Sequence, residues 1–370
     1  MSDRGFFTVH VLALMALVLG IAGCVAGAVI NAADFFRAWL CTYLFWLGLP
    51  LAGSTLVMVH DLTGGNWMAS ARPALNAAIL TMPLATLAGI PAFIGLGALY
   101  SWVHPAASLT NTFYLNPAMF WLRYGIYVVL WNLLAAFALW APRGEMAPIP
   151  PALSWLSALG LVILAFSAGF ASIDWILSLE PKFWSSVFSY IVASGWFNTG
   201  LAIVLLVVAG GGDFSVGKRR DHMADLAAIL LGTTIFWAYV EFCQFLIIWE
   251  SDLKSEIPYY LTRITGIWQA ALYVWIAFGF VVPFFVLLWR PSKRSRGVVA
   301  IVCGLLVLSR VAENWWFVIP EFPHAGPFWL DVAAILALGG PMALIFARAV
   351  RFGQVLNPGI WPIWKTAGHD

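Results

Sequence analysis

Residues 225–249 read DLAAILLGTTIFWAYVEFCQFLIIW, and Glu241 is the only charged residue of this stretch after the opening Asp225. An α-helix rises about 1.5 Å per residue, so about 20 mostly apolar residues are enough to cross a bilayer. The stretch therefore predicts a membrane-spanning helix that carries a carboxyl group well inside the hydrocarbon.

Nine further apolar stretches of similar length fill the chain almost from end to end. The ten predicted spans cover residues 6–30, 36–60, 75–99, 117–141, 152–178, 185–209, 225–249, 267–290, 298–320 and 328–350. Because no segment between them is long enough to fold alone, we predict an all-α, polytopic membrane protein. Residues 1–370 would form one integral membrane domain, of which residues 352–370 are a short cytoplasmic C-terminal tail.

The composition agrees with this fold class. Hydrophobic residues make up 62% of the chain and charged residues 10%, whereas about a quarter of the residues in a soluble domain are charged. The net charge of +2 gives no reason to expect a nucleic acid partner. Lipid is the surrounding that this composition predicts.

The distribution of basic residues predicts the orientation. If the ten spans alternate in direction, thirteen of the nineteen basic residues gather on one side: Arg4, Arg72, Arg143, Lys218, Arg219, Arg220, Arg290, Lys293, Arg294, Arg296, Arg348, Arg351 and Lys365. Two lie inside spans, Arg123 and Arg310, and the other side has only Arg37, Lys182, Lys254 and Arg263. Since cytoplasmic loops carry the excess of basic residues, we expect both termini in the cytoplasm.

Cysteine and histidine are placed unfavourably for a redox centre. The four cysteines lie in separate predicted spans and form no CxxC or CxxCH motif, and the histidines offer no bis-histidine haem pair. We therefore expect no cofactor in this chain. The sequence IAGC at residues 21–24 looks like a lipoprotein cleavage site, but the apolar run continues to Ile30, which favours a spanning helix with Cys24 inside it.

The candidate site residues are ionisable groups within the predicted spans: Glu241, Arg310, Glu313 and Asp174. Glu241 shares a helix face with Gln244, three residues further on, and the same interval places Arg310 and Glu313 on one face. A charged group deep in a spanning helix costs about 2.5–3.5 kcal/mol on insertion scales. These groups should therefore point into the bundle and find partners.

Two interpretations of these residues stay open. Arg310 and Glu313 could form an intrahelical ion pair that only hides two charges, and Glu241 could be a permanently neutral carboxyl bonded to Gln244 or to a helix carbonyl. Alternatively, Arg310 holds one carboxylate ionised while Glu241 takes up and releases a proton, because burial favours a neutral carboxyl and a nearby cation a charged one. Glu241, Glu313, Arg310 and Asp174 would then form a proton relay.

Four motifs resemble those of one family. They are HDLTGGNW at residues 60–67, FASIDWILSLEPKFWSSVFSYIVASGWFNTGLAI at 170–203, FWAYVEFCQFLIIWESDLKSEIPYY at 236–260 and VIPEF at 318–322. The family is the F-type membrane subunit of alternative complex III, the bacterial quinol:cytochrome c oxidoreductase. It is related to the polysulfide-reductase (NrfD-like) membrane subunits, and the resemblance covers most of the second to tenth spans.

The resemblance implies ten helices arranged as two four-helix bundles with two peripheral helices, and no redox centre in this chain. It also implies partner subunits that hold c-type haems and iron–sulfur clusters: a homologous C-type quinol subunit, a multihaem cytochrome c and an iron–sulfur subunit. We therefore expect a subunit of a respiratory quinol oxidoreductase in the bacterial inner membrane. It would give scaffolding, and a proton pathway or part of a quinone site.

This chain departs from the family pattern at the candidate residues. Position 241 usually lacks a carboxylate in the sequences that it resembles, and the pair of Arg310 and Glu313 replaces a less charged pattern. The segment 250–256 reads ESDLKSE where the family tends to read ANIPEE. The resemblance therefore assigns no role to these residues.

Two other classes of protein remain compatible with the sequence. A secondary transporter could bind an ion or solute at Glu241, Arg310 and Glu313, although transporter sites typically use Gly- or Pro-interrupted helices in matching repeats, and no repeat is detectable. A membrane enzyme that acts on lipid would need a clustered metal set or a nucleophile–base pair, and the sequence offers neither.

Overall fold

The computed structural model of this protein describes residues 3–104, 112–140, 150–211, 217–254, 256–322 and 326–355. Side chains are described from residue 5 onwards within these ranges, except at 217–219 and 352–355. Residues 356–370 of the predicted tail lie outside the described residues. The same holds for part of the basic set behind the orientation, as whole residues or as side chains: Arg4, Arg143, Lys218, Arg219 and Lys365.

Ten helices are long and apolar enough to cross a membrane. They are α1 (Gly5–Ile30), α2 (Ala32–Thr63), α3 (Arg72–Ile94), α4 (Pro117–Trp140), α5 (Pro151–Leu179), α6 (Phe188–Gly210), α7 (Arg220–Ser251), α8 (Ile267–Leu288), α9 (Arg296–Glu321) and α10 (Phe328–Arg351). Each predicted span overlaps one of them, and no strand occurs among the described residues. The prediction of an all-α, polytopic membrane protein is confirmed.

Two of these helices are interrupted. The pieces of α3 are Arg72–Ile79, Met82–Leu87 and Gly89–Ile94. The pieces of α8 are Ile267–Ile276, a π-helical turn at Ala277–Val281, and Val282–Leu288. Proline has no N–H group and crowds the preceding turn, which accounts for the breaks just before Pro83 and Pro283. Pro341, by contrast, lies within the continuous helix α10.

The helices form two bundles of four. In the first bundle, α2 contacts α3, α4 and α5; in the second, α6 and α8 each contact α7 and α9. Contacts between α2 and α6 join the bundles, and α1 packs on α10 at the periphery, where α10 also touches α2 and α3. This is the predicted arrangement of two four-helix bundles with two peripheral helices.

Close backbone packing holds α1 against α10. A Cβ atom at Gly20 would lie 2.2 Å from the backbone nitrogen of Ala337, so a larger residue at this position would force the two helices apart. Cys24 is buried in the same interface, inside an uninterrupted helix. Arg348 donates a hydrogen bond to His10 at 3.0 Å, which places the start of α1 beside the end of α10.

The two ends of the helices differ in charge. We call the end at which α1, α3, α5, α7 and α9 begin the basic end, because most of the described basic residues lie there, and the other end the opposite end. Of the basic residues predicted at the opposite end, Arg37 and Arg263 are at most 1% exposed. Lys182 and Lys254 are therefore the exposed cations among the four basic residues predicted there.

Candidate functional site

A buried ion pair lies inside the second bundle. Arg310 donates from Nη1 to Oε2 of Glu313 at 2.7 Å, one turn further along α9. Trp237 of α7 donates its indole N–H to the other carboxylate oxygen, Oε1, at 2.8 Å. The Arg310 guanidinium also lies 3.8 Å from the centre of the Trp237 ring. Two donors on two different helices therefore fix the Glu313 carboxylate.

The π-helical turn of α8 leaves room for the side chain of Arg310. An ideal Cβ at Gly279 would lie 2.9 Å from Nη2 of Arg310, so the guanidinium occupies the space that a side chain would need. Turns of this kind recur at functional sites in helices. Nε and Nη2 of Arg310 are buried and have no hydrogen-bond partner among the described residues. Part of the guanidinium is therefore available to a further acceptor.

Glu241 lies on the same face of α7 as Trp237, one turn nearer the opposite end. It lies ten positions before Ser251, the last residue of α7, which places it about 15 Å from that end of the helix. Its carboxyl interacts electrostatically with Arg310 and Glu313. Its Oε1 is buried, without a hydrogen-bond partner in the described part of the chain. The structure thus pairs two of the four predicted site residues, Arg310 and Glu313, and places Glu241 within electrostatic reach of both.

Further polar groups lie beyond Glu241. Gln244, one turn on, accepts a hydrogen bond from the Ser185 hydroxyl, and its amide nitrogen is buried without a partner among the described residues. The expected alternative in which Gln244 binds Glu241 is therefore not observed. Tyr259 and Tyr260, between α7 and α8, interact electrostatically with Glu241. Burial raises the pKa of both phenols above the ordinary tyrosine value, so both stay neutral.

Asp174 binds to partners in the first bundle. Its carboxylate accepts hydrogen bonds from Nε of Arg123 at 2.9 and 3.1 Å and from the Tyr127 hydroxyl at 2.7 Å, which ties α5 to α4. These bonds run to α4 and not to the cluster around Glu241. A role for Asp174 in the same relay stays a prediction that these contacts do not support.

Two more buried ion pairs at the opposite end were not predicted. Arg37 of α2 lies 3.4 Å from Asp331 of α10, measured from Nη2 to Oδ2. Arg263, between α7 and α8, pairs with Glu321 at 2.6 Å and donates to two backbone carbonyls at the end of α9. Partners this far apart in the sequence give no periodic signal within a helix, which is why sequence reasoning missed them.

Toward the basic end, polar groups continue along the interface of α6 and α7. Thr233 donates a hydrogen bond to the side-chain oxygen of Asn198 at 2.5 Å. The hydroxyl of Thr234, one turn before Trp237, is buried and has no partner in the described part of the chain. One face of α7 therefore carries Thr234, Trp237, Glu241 and Gln244 in succession, of which Glu241 is half-buried and the other three are buried.

This arrangement can support proton exchange inside the membrane. Glu313 accepts hydrogen bonds from an arginine and an indole, whereas Oε1 of Glu241 has no donor in the described part of the chain. Pairs of carboxyl groups whose surroundings differ in this way divide the work of holding charge and moving protons. Of the two carboxyl groups, Glu241 is therefore the one with a buried oxygen that has no donor in the described part of the chain.

No protein-family model matches this chain, and no curated protein matches it. Among the described residues, no group of three or more His, Cys, Asp or Glu side chains is placed to hold a metal ion. The four cysteines are free thiols on separate helices. The geometry therefore defines a multi-pass, all-α membrane protein with a buried cluster of charged residues in its second bundle.

Proposed function

We propose that this chain is a cofactor-free membrane subunit of a bacterial respiratory quinol oxidoreductase similar to alternative complex III. In this proposal, the second bundle carries out one step of proton transfer. The choice of assembly is supported by the four sequence motifs, which lie on or beside α2, α5 and α6, α7, and α9. The step of proton transfer is supported by the cluster of charged residues.

The position of Glu241 is the observation that carries this function. A carboxyl group inside a membrane is costly to retain and marks ion or proton pathways. Glu241 lies within electrostatic reach of the fixed pair of Arg310 and Glu313, and its Oε1 has no partner in the described residues. Buried polar groups need hydrogen-bond partners, and ordered water is the usual one where protein groups do not suffice. Water beside Glu241 would connect it to the spare donors of Arg310.

Redox chemistry belongs to partner subunits in this proposal. A homologous C-type subunit oxidises quinol, and a multihaem cytochrome c and an iron–sulfur subunit hold the haems and clusters. The chain lies in the inner membrane with its basic end in the cytoplasm, as the excess of basic residues at that end predicts. Glu241 then lies in the half of the bundle nearer the periplasm, where it can release protons outward.

Purification with its natural neighbours tests the assembly. A complex solubilised in mild detergent should contain c-type haem and oxidise quinol, whereas the chain stripped of its partners should show no Soret band. A chain that purifies as a monomer or homodimer without haem-containing partners would contradict the assembly. A Soret band that stays with the stripped chain would contradict the assignment of all redox centres to partners.

A secondary transporter is the second candidate, and the interrupted helices favour it. The π-helical turn of α8 lies against Arg310, and transporter sites are typically built where spanning helices unwind. The chain alone, reconstituted in liposomes with a pH gradient, would then move protons only when a suitable solute is added. A panel of small organic anions and cations tests this, and solute-dependent proton flux would favour the transporter over the respiratory subunit.

A further inference from the structure

The two ends of this protein differ in whether their arginines form ion pairs with carboxylates. Toward the opposite end, arginines are paired with carboxylates, as in Arg37 with Asp331, Arg123 with Asp174 and Arg263 with Glu321. At the basic end of the second bundle, the structure shows no ion pair within its described residues for Arg220, Arg290 or Lys293. Three cations without an ion pair among the described residues therefore lie at this end of the second bundle.

These cations lie in one patch. The short helix Arg290–Lys293 connects α8 to α9 and contacts α7. Arg294 bonds Asp221 in the first turns of α7 at 2.8 Å, which brings the connection against the residue next to Arg220. We call this group the α8–α9 patch: Arg220, Arg290, Lys293 and Arg294.

The patch carries more positive than negative charge. The described first turns of α7 contain two carboxylates, Asp221 and Asp225, against the four cations of the patch. Asp221 is already bound to Arg294. A ligand that brings negative charge would therefore be stabilised here.

The position of the patch at the end of the membrane spans indicates the kind of ligand. α8 ends at Leu288 and α9 begins at Arg296, so the patch lies where the apolar spans stop and lipid headgroups begin. Trp289, next to the patch, is exposed, as is usual for tryptophan at a membrane interface. Phe285 and Leu288 are exposed on α8 directly beneath it. A cationic site above a lipid-facing apolar surface fits a molecule with an anionic head and acyl chains.

We propose that the α8–α9 patch binds the phosphate headgroup of an anionic phospholipid. The phosphodiester oxygens accept hydrogen bonds from Arg290 and Lys293, and the acyl chains lie along the exposed face of α8 at Phe285 and Leu288. Basic clusters at the end of spanning helices attract anionic lipid in this way. Bound lipid then holds α8 and α9 against the start of α7, independently of the proposed respiratory function.

Thermal melting of the full chain in a neutral detergent tests this site. We expect added phosphatidylglycerol to raise the melting temperature by several degrees more than phosphatidylcholine does. The variant Arg290→Gln/Lys293→Gln should lose most of this difference. The matched control is Lys182→Gln/Lys254→Gln, which removes two exposed lysines at the opposite end and should keep it. High salt should weaken the effect, since the attraction is electrostatic.

Native mass spectrometry measures lipid binding to the same proteins independently of their melting temperature. The wild-type chain and the control should retain phosphatidylglycerol, and the Arg290→Gln/Lys293→Gln variant should retain severalfold less. Equal retention by both variants would overturn the site. So would an equal effect of inorganic phosphate, which indicates a free-anion site, or a shift that appears only with a partner protein, which indicates a protein interface.

Discussion

Trp237 of α7 and Glu313 of α9 are joined by a hydrogen bond of 2.8 Å across the interior of the second bundle. Because Arg310 binds the other carboxylate oxygen, Glu313 has a donor on each oxygen. Oε1 of Glu241, one turn from Trp237, has no donor in the described part of the chain. The two carboxyl groups therefore differ in their contacts: Glu313 is fixed between two helices, and the proposed proton transfer assigns the exchange to Glu241.

Removing Glu313 alone should destabilise the protein more than removing the whole ion pair. Glu313→Leu leaves the Arg310 guanidinium buried without its counter-charge, which typically costs about 3–5 kcal/mol, whereas apolar replacement of both partners is often nearly neutral. Thermal melting in detergent, followed by tryptophan fluorescence, should show a large loss for Glu313→Leu. Most of that loss should be recovered in Arg310→Met/Glu313→Leu, and equal losses in the two variants would contradict a buried, paired charge.

Adding a methyl group at Gly279 should displace Arg310. The new Cβ would lie 2.9 Å from Nη2, and overpacking of this kind typically costs about 1–3 kcal/mol. We expect Gly279→Ala to lower the melting temperature and to reduce proton release by the assembled complex. Gly232→Ala on α7 is the matched control, since its ideal Cβ meets no neighbouring group of the described residues within 4 Å, its own helix backbone aside. If both variants behave like the wild type, the close approach at α8 is not needed.

The fold could be predicted from the sequence because a bilayer imposes a simple condition on each span. Stretches of about 20 apolar residues mark spanning helices one by one, without knowledge of their neighbours. Breaks inside a span were less predictable. Pro83, Pro283 and Pro341 each lie within a predicted span, but only the first two lie at interruptions. Packing against neighbouring helices decides whether the backbone groups freed by a proline find partners, and the sequence of one span does not show this packing.

The candidate site could be predicted only where it follows helix periodicity. The interval of three residues between Arg310 and Glu313 predicted their pair, and the structure contains it. The contact with Trp237 depends on how α7 packs against α9, and no pattern within either helix encodes it. Asp174 and Arg123 both lie near the same end of adjacent helices, and this shared depth was the one available signal for their pairing.

Arg263 should hold the connection between α7 and α8 in place. It is completely buried and bonds Glu321 and two backbone carbonyls of α9, so its removal leaves these acceptors without their donor. We expect Arg263→Gln to make the segment 252–266 cleavable by protease added to the opposite side of membrane vesicles. Lys254→Gln, in the same segment but exposed, should remain resistant. Resistance of both variants would show that other contacts suffice.

The orientation can be measured with a fused reporter. Thirteen basic residues against four predict that both termini face the cytoplasm. Alkaline phosphatase, which is active only in the periplasm, should be inactive when fused after Asp370, and a fluorescent protein that folds only in the cytoplasm should be bright there. The opposite result would mean that the chain is inserted with its basic end outward.

The proton yield of a Glu241→Gln variant tests the central claim most directly. Glutamine keeps the shape and the hydrogen-bonding capacity of the side chain but cannot titrate. In reconstituted complex, we predict intact assembly with fewer protons released per quinol oxidised, whereas Asp174→Asn should reduce stability and leave the proton yield unchanged. Unchanged turnover and unchanged proton yield in Glu241→Gln, with the complex assembled, would contradict a role in proton transfer and reduce Glu241 to a structural residue.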